Sequence, residues 1–177
     1  MADGDAGDKP LGTFFLPPRV FFEPYSLRYL RNYHGMERVL IVSDHRLYGL
    51  GYVMQCMMLL KGRHPEPEVE VFLDITTTPS IKTVYSALEI VESFQPDTLI
   101  ALGGRTVMDV AKMILYMYRT GQRAFSFDQT FMSLSPSGVD GKGQLICVPT
   151  LSGSGSEVTP FAVIADEQGV KHTLGDR

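Results

Sequence analysis

A chain of 177 residues is long enough for one domain with its own core and does not require two. Hydrophobic residues at 44% and charged residues at 20% match an ordinary folded protein and argue against a fibrous or disordered chain. The net charge of -4, with Lys and Arg scattered along the chain, argues against nucleic acid as the main partner, because phosphate backbones need a basic face.

No apolar run is long enough to cross a bilayer, and the acidic start lacks a signal peptide's hydrophobic stretch, so no membrane contact is expected. Cys56 and Cys147 lie among apolar neighbours, which predicts buried free thiols and a reducing, cytoplasmic setting.

Residues 1–12 are small, acidic and glycine-rich, the composition of a disordered leader. Two short β-rich runs follow at 13–16 and 19–22, split by Pro17-Pro18, and predict a hairpin-like entry to a sheet or an edge pair. The continuous apolar run at 38–43 (RVLIVS) predicts a strand buried on both faces. A helix is expected over 50–61, ended by Gly62, and a second strand at 68–73 (EVEVFL).

Ser80 can cap the next helix, in which Ile81, Val84, Tyr85, Leu88 and Val91 make a one-sided apolar stripe. Gln95-Pro96-Asp97 breaks it before a third strand at 98–102 (TLIAL). Val107, Val110, Ala111, Ile114, Leu115 and Tyr118 form another stripe, stopped near Gly121. A long loop at 122–143 leads to a fourth strand at 144–148 (QLICV). Residues 161–166 and 170–174, around Glu167-Gln168-Gly169, predict a β-hairpin.

Strands alternating with amphipathic helices predict an α/β fold, a parallel sheet with helices on both faces and right-handed crossovers. Ligands of such sheets sit outside the carboxyl ends of the strands, which singles out Ser43-Asp44 and the loops at 76–79, 103–109 and 149–159. At the third strand's end, Gly103-Gly104 allows close approach of a ligand to backbone N–H groups and to the positive end of a helix. The same glycines also suit a plain tight turn. Asp109 either orients a neighbouring loop or caps the turn, and Lys112 reads as a solvated surface lysine. The stretch PTLSGSGSEVT at 149–159 is dense in hydroxyls and glycines, which suits phosphate and ribose oxygens. Asp44 closes the first strand, where a carboxylate can accept from both ribose hydroxyls of an adenosine or serve as an ordinary N-cap. His34, His45, His64 and His172 show no metal-ligand spacing.

Together, GGRTVMDVAK and VPTLSGSGSEVTPFAVIADEQGVKH resemble the iron-containing (group III) alcohol dehydrogenases, with the nearest look to the alcohol dehydrogenase portion of bifunctional acetaldehyde–alcohol dehydrogenases. The resemblance runs from Phe14 onward and includes PPRVFFEPYSL and FQPDTLIALGG. It implies a Rossmann-like fold, the N-terminal domain of the iron alcohol dehydrogenase and dehydroquinate synthase architecture, over 13–177. It implies NAD as cofactor, a small alcohol or aldehyde as substrate, and a homo-oligomeric full-length protein. The iron ligands of the family lie in a helical domain expected beyond Arg177, so no metal or catalytic residue is assigned and the chain alone is expected to be inactive.

Matched by motif, the resemblance gives Asp44 to the adenosine ribose and Thr78 to the adenine surroundings. It gives Gly103, Gly104, Thr106 and Asp109 to the pyrophosphate loop, Thr150, Ser152 and Ser154 to a second nucleotide loop, and Lys171 to the nicotinamide ribose. Three departures stand out: Arg105 replaces a glycine of the family pattern, Thr106 a serine and Leu151 a threonine. Arg105 obstructs the loop if its φ is positive, and adds a cation near the phosphates if it points outward. The departures keep open a second reading, a non-catalytic or degenerate nucleotide-binding module. Zinc-using glycerol dehydrogenases and dehydroquinate synthases share the architecture, though the SGSGSEVTPFAV stretch leans towards the iron group.

Overall fold

A computed structural model describes residues 19–127 and 143–175. Every apolar run of the middle of the chain becomes a strand: β1 (Arg38–Val42), β2 (Glu68–Phe72), β3 (Thr98–Gly103) and β4 (Gln144–Pro149). All four are parallel, in the order β2-β1-β3-β4. The register runs Val42 opposite Phe72 on one side and opposite Ala101 on the other, and Gly103 opposite Pro149. A second, antiparallel pair follows, β5 (Ala162–Ala165) and β6 (Lys171–Leu174), as the sequence predicts. Asp166 builds its turn by accepting from Gln168 N–H at 2.9 Å and Val170 N–H at 2.8 Å.

Alternation along the parallel strands divides the core into two layers. Leu40, Val42, Leu99 and Ala101 pack with α3 (Ile81–Phe94), α4 (Arg105–Thr120) and the β5–β6 pair. Val39, Ile41, Ile100 and Leu102 point the other way, onto α2 (Tyr52–Lys61) and a short 3₁₀ helix, Ser26–Arg31. Helices therefore cover both faces, and full burial of each of the Val, Leu and Ile side chains stabilises by about 1.5–3 kcal/mol.

Local signals set the helix ends. Ser80 Oγ accepts from Thr83 N–H at 3.3 Å to start α3, and Pro96 follows its left-handed terminus at Gln95. Gly121 takes φ 68 to end α4. The stripe read for α4 is correct but incomplete. Met108, Met113 and Met117 are buried too, because the sheet, α3 and β5 enclose the helix on several sides.

The expected strand at 19–22 is not one: these residues form no ladder, and Phe21 instead stacks on Tyr29 of the 3₁₀ helix with centroids 4.3 Å apart. The run at 13–16, the leader at 1–12 and most of the loop at 122–143 lie outside the described residues. The 3₁₀ helix and α1 (His45–Gly49) had no signal in the apolar pattern, since five or six residues are too short to show a helical period. Among the described residues no helix is long and apolar enough to cross a membrane.

Both cysteines are free. Burial pushes the Cys56 thiol up from 9.0 to about 12 and the Cys147 thiol up to about 11. Both folded-state values lie above the unfolded one, so the contribution to stability is whole below pH 9 and falls as pH rises towards 11 and 12. We expect the midpoint of urea unfolding to drop between pH 9 and 11, and Cys56→Ala to flatten that slope; an identical slope in the variant would rule the thiol out.

Candidate functional site

The chain leaves β1 for β2 on one side, and β3 for β4 on the other. This reversal opens a crevice at the carboxyl ends of β1 and β3. The buried Ser43 hydroxyl ties the two ends together by donating to the Leu102 carbonyl at 2.8 Å.

β3 runs into α4 at Gly103, and the turn is so tight that a β-carbon there would lie 2.5 Å from Val107 Cγ2 and 2.7 Å from its Cβ. Only hydrogen fits. Gly104 is the N-cap of α4 and supplies no side-chain acceptor, so the first N–H groups of a 16-residue helix stand at the crevice unsatisfied by any side-chain cap. Leu151 lies over this corner, 3.2 Å from where a Gly104 β-carbon would be. Arg105 is the first helical residue, exposed and without positive φ. The departure from glycine is thus accommodated by the helix, and the guanidinium lies on the outer surface.

Hydrogen bonds draw the other loops to the same edge. Thr150 N–H donates to the Gly103 carbonyl at 3.0 Å, and Thr106 Oγ1 donates to the Thr77 carbonyl at 3.4 Å. The loop at 76–79 is itself braced by Thr76 Oγ1 donating to the Thr78 carbonyl at 3.1 Å. Ala165 N–H donates to the Pro79 carbonyl at 2.8 Å, and Lys171 is the cross-strand partner of Ala165. Asp44 forms an isolated bridge with Asp74 at the end of β2, and its Oδ1 caps α1 by accepting from Leu47 N–H at 2.8 Å. The N-cap role and a ligand role are compatible, since the cap occupies one carboxylate oxygen.

Gly103, Gly104, Thr106 and Thr150 are therefore joined directly, and the loops bearing Thr78 and Lys171 are joined to them through the backbone. Thr78, Ser152 and Lys171 are exposed, and Ser154 is half-buried with its Oγ accepting from Ser156 N–H at 3.4 Å.

Asp109 stands apart. It is 2% exposed, and both oxygens are taken: Ser156 Oγ donates to Oδ1, and Val163 N–H donates to Oδ2 at 3.1 Å. Lys112 is likewise internal at 9% exposure, where a solvated lysine was expected. Its Nζ donates to the Phe161 carbonyl at 2.7 Å and to Ser156 Oγ at 3.3 Å, 3.8 Å from Asp109 Oδ1. Burial lowers the Lys112 pKa, and the nearby Asp109 carboxylate opposes the shift. Ser156 is not singled out by the sequence, and Lys112 reads there only as a surface residue; the available signal is a charged pair at i and i+3 inside an otherwise apolar stretch of helix. Beside them a cavity of about 270 Å³ is lined by Lys112, Leu115, Cys147, Glu157 and Thr159. It lies against β4, away from the glycine corner, and Glu157 Oε2 is buried there with no hydrogen-bond partner among the described residues.

No three His, Cys, Asp or Glu side chains gather as a metal site among the described residues, so these residues do not fit an iron ion. They do fit an anionic ligand, since α4 begins at Gly104 with no side-chain cap on its first N–H groups.

The family model described as iron-containing alcohol dehydrogenase matches residues 17–177. Aldehyde-alcohol dehydrogenase 2 of Entamoeba histolytica is 44% identical over 173 residues, covering 94% of this chain and 20% of the relative. The chain thus spans about a fifth of that relative's length. Among solved structures, the iron-containing alcohol dehydrogenase of Thermococcus thioreducens superposes with a TM-score of 0.77 at 30% identity, over 92% of this chain and 43% of that one. Sulfoacetaldehyde reductase of Bifidobacterium kashiwanohense, solved in complex with NAD+, shares the fold with a TM-score of 0.77 at 22% identity, over 95% of this chain and 44% of that one. The chain belongs to the iron-containing alcohol dehydrogenase family.

Proposed function

We propose that this chain is the NAD-binding portion of an alcohol dehydrogenase that interconverts a small alcohol and its aldehyde by hydride transfer. The observation that carries the reading is the glycine corner: one sheet edge brings an uncapped helix N-terminus, two loops of small residues and a strand-end carboxylate together. The bound nicotinamide supplies the hydride acceptor or donor.

The residues of the chain bind and orient. The N–H groups at Gly104–Thr106 meet the diphosphate, aided by the dipole of α4. Asp44 uses one oxygen for Leu47 and offers the other to the adenosine ribose, where its charge also repels a 2′-phosphate. Thr150, Ser152 and Ser154 contribute donors from the second loop, Thr78 flanks the adenine, and Lys171 reaches towards the nicotinamide ribose. We assign the iron of the family to the part of the relatives that this chain does not span. The chain alone is expected to bind nucleotide without oxidising alcohol when iron is added.

Calorimetric titration with NADH and NADPH tests the reading, and Asp44→Ser is the informative variant because serine keeps the cap of α1 while removing the charge. We expect NADH to bind about tenfold more weakly to Asp44→Ser, the loss of one charged hydrogen bond, with less preference over NADPH. Undiminished affinity would remove Asp44 from the site. Binding that appears only in Arg105→Gly would favour the degenerate-module reading instead.

A further inference from the structure

We infer that Asp109, Lys112 and Ser156 are positioning residues that never touch the nucleotide and instead fix the second nucleotide loop against the helix whose N-terminus holds the diphosphate; this rests on the nucleotide reading above. The three side chains form one continuous set of bonds. The Phe161 carbonyl accepts from Lys112 Nζ, Lys112 Nζ donates to Ser156 Oγ, Ser156 Oγ donates to Asp109, and Asp109 accepts from Val163 N–H. The set thereby joins α4, the loop after β4 and the start of β5.

The loop needs such a tie because it has little structure of its own. Between β4 and β5 its backbone bonds are Thr150 N–H to Gly103 and Val158 N–H to Gly155, and Gly153 and Gly155 take φ 96 and 65. Ser156 is the point where it is held in the interior, at 4% exposure, and Ser156 N–H in turn bonds Ser154 Oγ, one of the hydroxyls assigned to the nucleotide.

The geometry of α4 converts this tie into alignment. Gly104 and Asp109 are five residues apart on one rigid helix, an axial distance of about 7.5 Å. The body that presents its N–H groups to the diphosphate therefore also sets where Ser154 stands. Stability alone does not call for a polar cluster here. Neighbouring buried positions on α4 are Met108, Val110, Met113 and Ile114, and apolar replacement of a buried ion pair is often neutral or stabilising. Directional bonds supply what apolar packing cannot, a single loop position.

The test uses the full chain, NADH titration and amide hydrogen exchange without nucleotide, on Ser156→Ala, Ser156→Thr and Lys112→Met. Val91→Ala, a fully buried α3 residue, serves as a control for loss of stability. We expect about tenfold weaker NADH binding in Ser156→Ala and Lys112→Met, recovery in Ser156→Thr, and no change in Val91→Ala. Amides at 150–160 should exchange faster in Ser156→Ala alone of the two serine variants. Wild-type affinity in Ser156→Ala, or equal weakening in Val91→Ala, overturns the positioning role while leaving the nucleotide site in place. Failure of the unaltered chain to bind NADH or NADPH overturns both readings.

Discussion

Asp109→Ala is expected to lower the free energy of unfolding by about 3–5 kcal/mol, the usual cost of deleting one member of a buried charge pair. The substitution strands the Lys112 ammonium in a site where it is 9% exposed, and orphans the Val163 amide and the Ser156 hydroxyl as well. Urea unfolding measures it. Adding Lys112→Met should recover part of the loss, since the uncompensated charge goes with the lysine. A double variant as unstable as the sum of the two single variants would show that the pair is not coupled.

The pH dependence has a definite sign. Burial already holds the Lys112 pKa below 10.5 in the folded state, so the unfolded state binds more protons in the window under that value. The lysine's contribution therefore rises with pH there. Without Asp109, which raises the lysine pKa, the depression deepens, and the deficit of Asp109→Ala should shrink as pH climbs towards 10.5. The thiols titrate oppositely, but they are present in both proteins and cancel in the difference.

Gly103→Ala should cost about 1–3 kcal/mol through overpacking, because the new methyl meets Val107 Cγ2 at 2.5 Å and neither the last residue of β3 nor the first turn of α4 can retreat. In a domain of this size each kcal/mol lowers the melting temperature by about 2–4 °C. Val107→Ala in the same chain should show a favourable coupling, since it removes the methyl groups that collide. Gly104→Ala makes the contrast: its β-carbon meets only the end of the Leu151 side chain, at 3.2 Å, which can swing aside. Equal losses at the two glycines would refute the packing argument.

Periodicity and caps carried most of the fold. The four parallel strands, three of the helices and the final hairpin follow from apolar runs, from Ser80 and Gly121, and from the turn residues Glu167-Gln168-Gly169. The failures share a cause. Runs of four to six residues have no period to read, so Phe21 was assigned to a strand when its ring prefers Tyr29, and α1 went unseen although Asp44 was in view as a possible cap. In the site, the glycine corner was legible because its chemistry is local. Orienting a neighbouring loop was one of two readings of Asp109, but its partners and those of Lys112 were not legible, because Ser156, Phe161 and Val163 lie 44 to 54 positions away in the chain. Arg105 looked obstructive only while its φ was unknown.

The two layers of the sheet are unequal, and the cofactor would straddle them. Gly103, Gly104 and Thr150 are anchored by α4 and the larger cluster that also takes in α3, β5 and β6, whereas Asp44 leads through α1 into α2, which rests on the smaller cluster with the 3₁₀ helix. Local opening draws first on the part with fewer apolar contacts. The adenosine end would then be gripped by the softer wall and the diphosphate by the stiffer one, so that a dinucleotide lets go from its base inward.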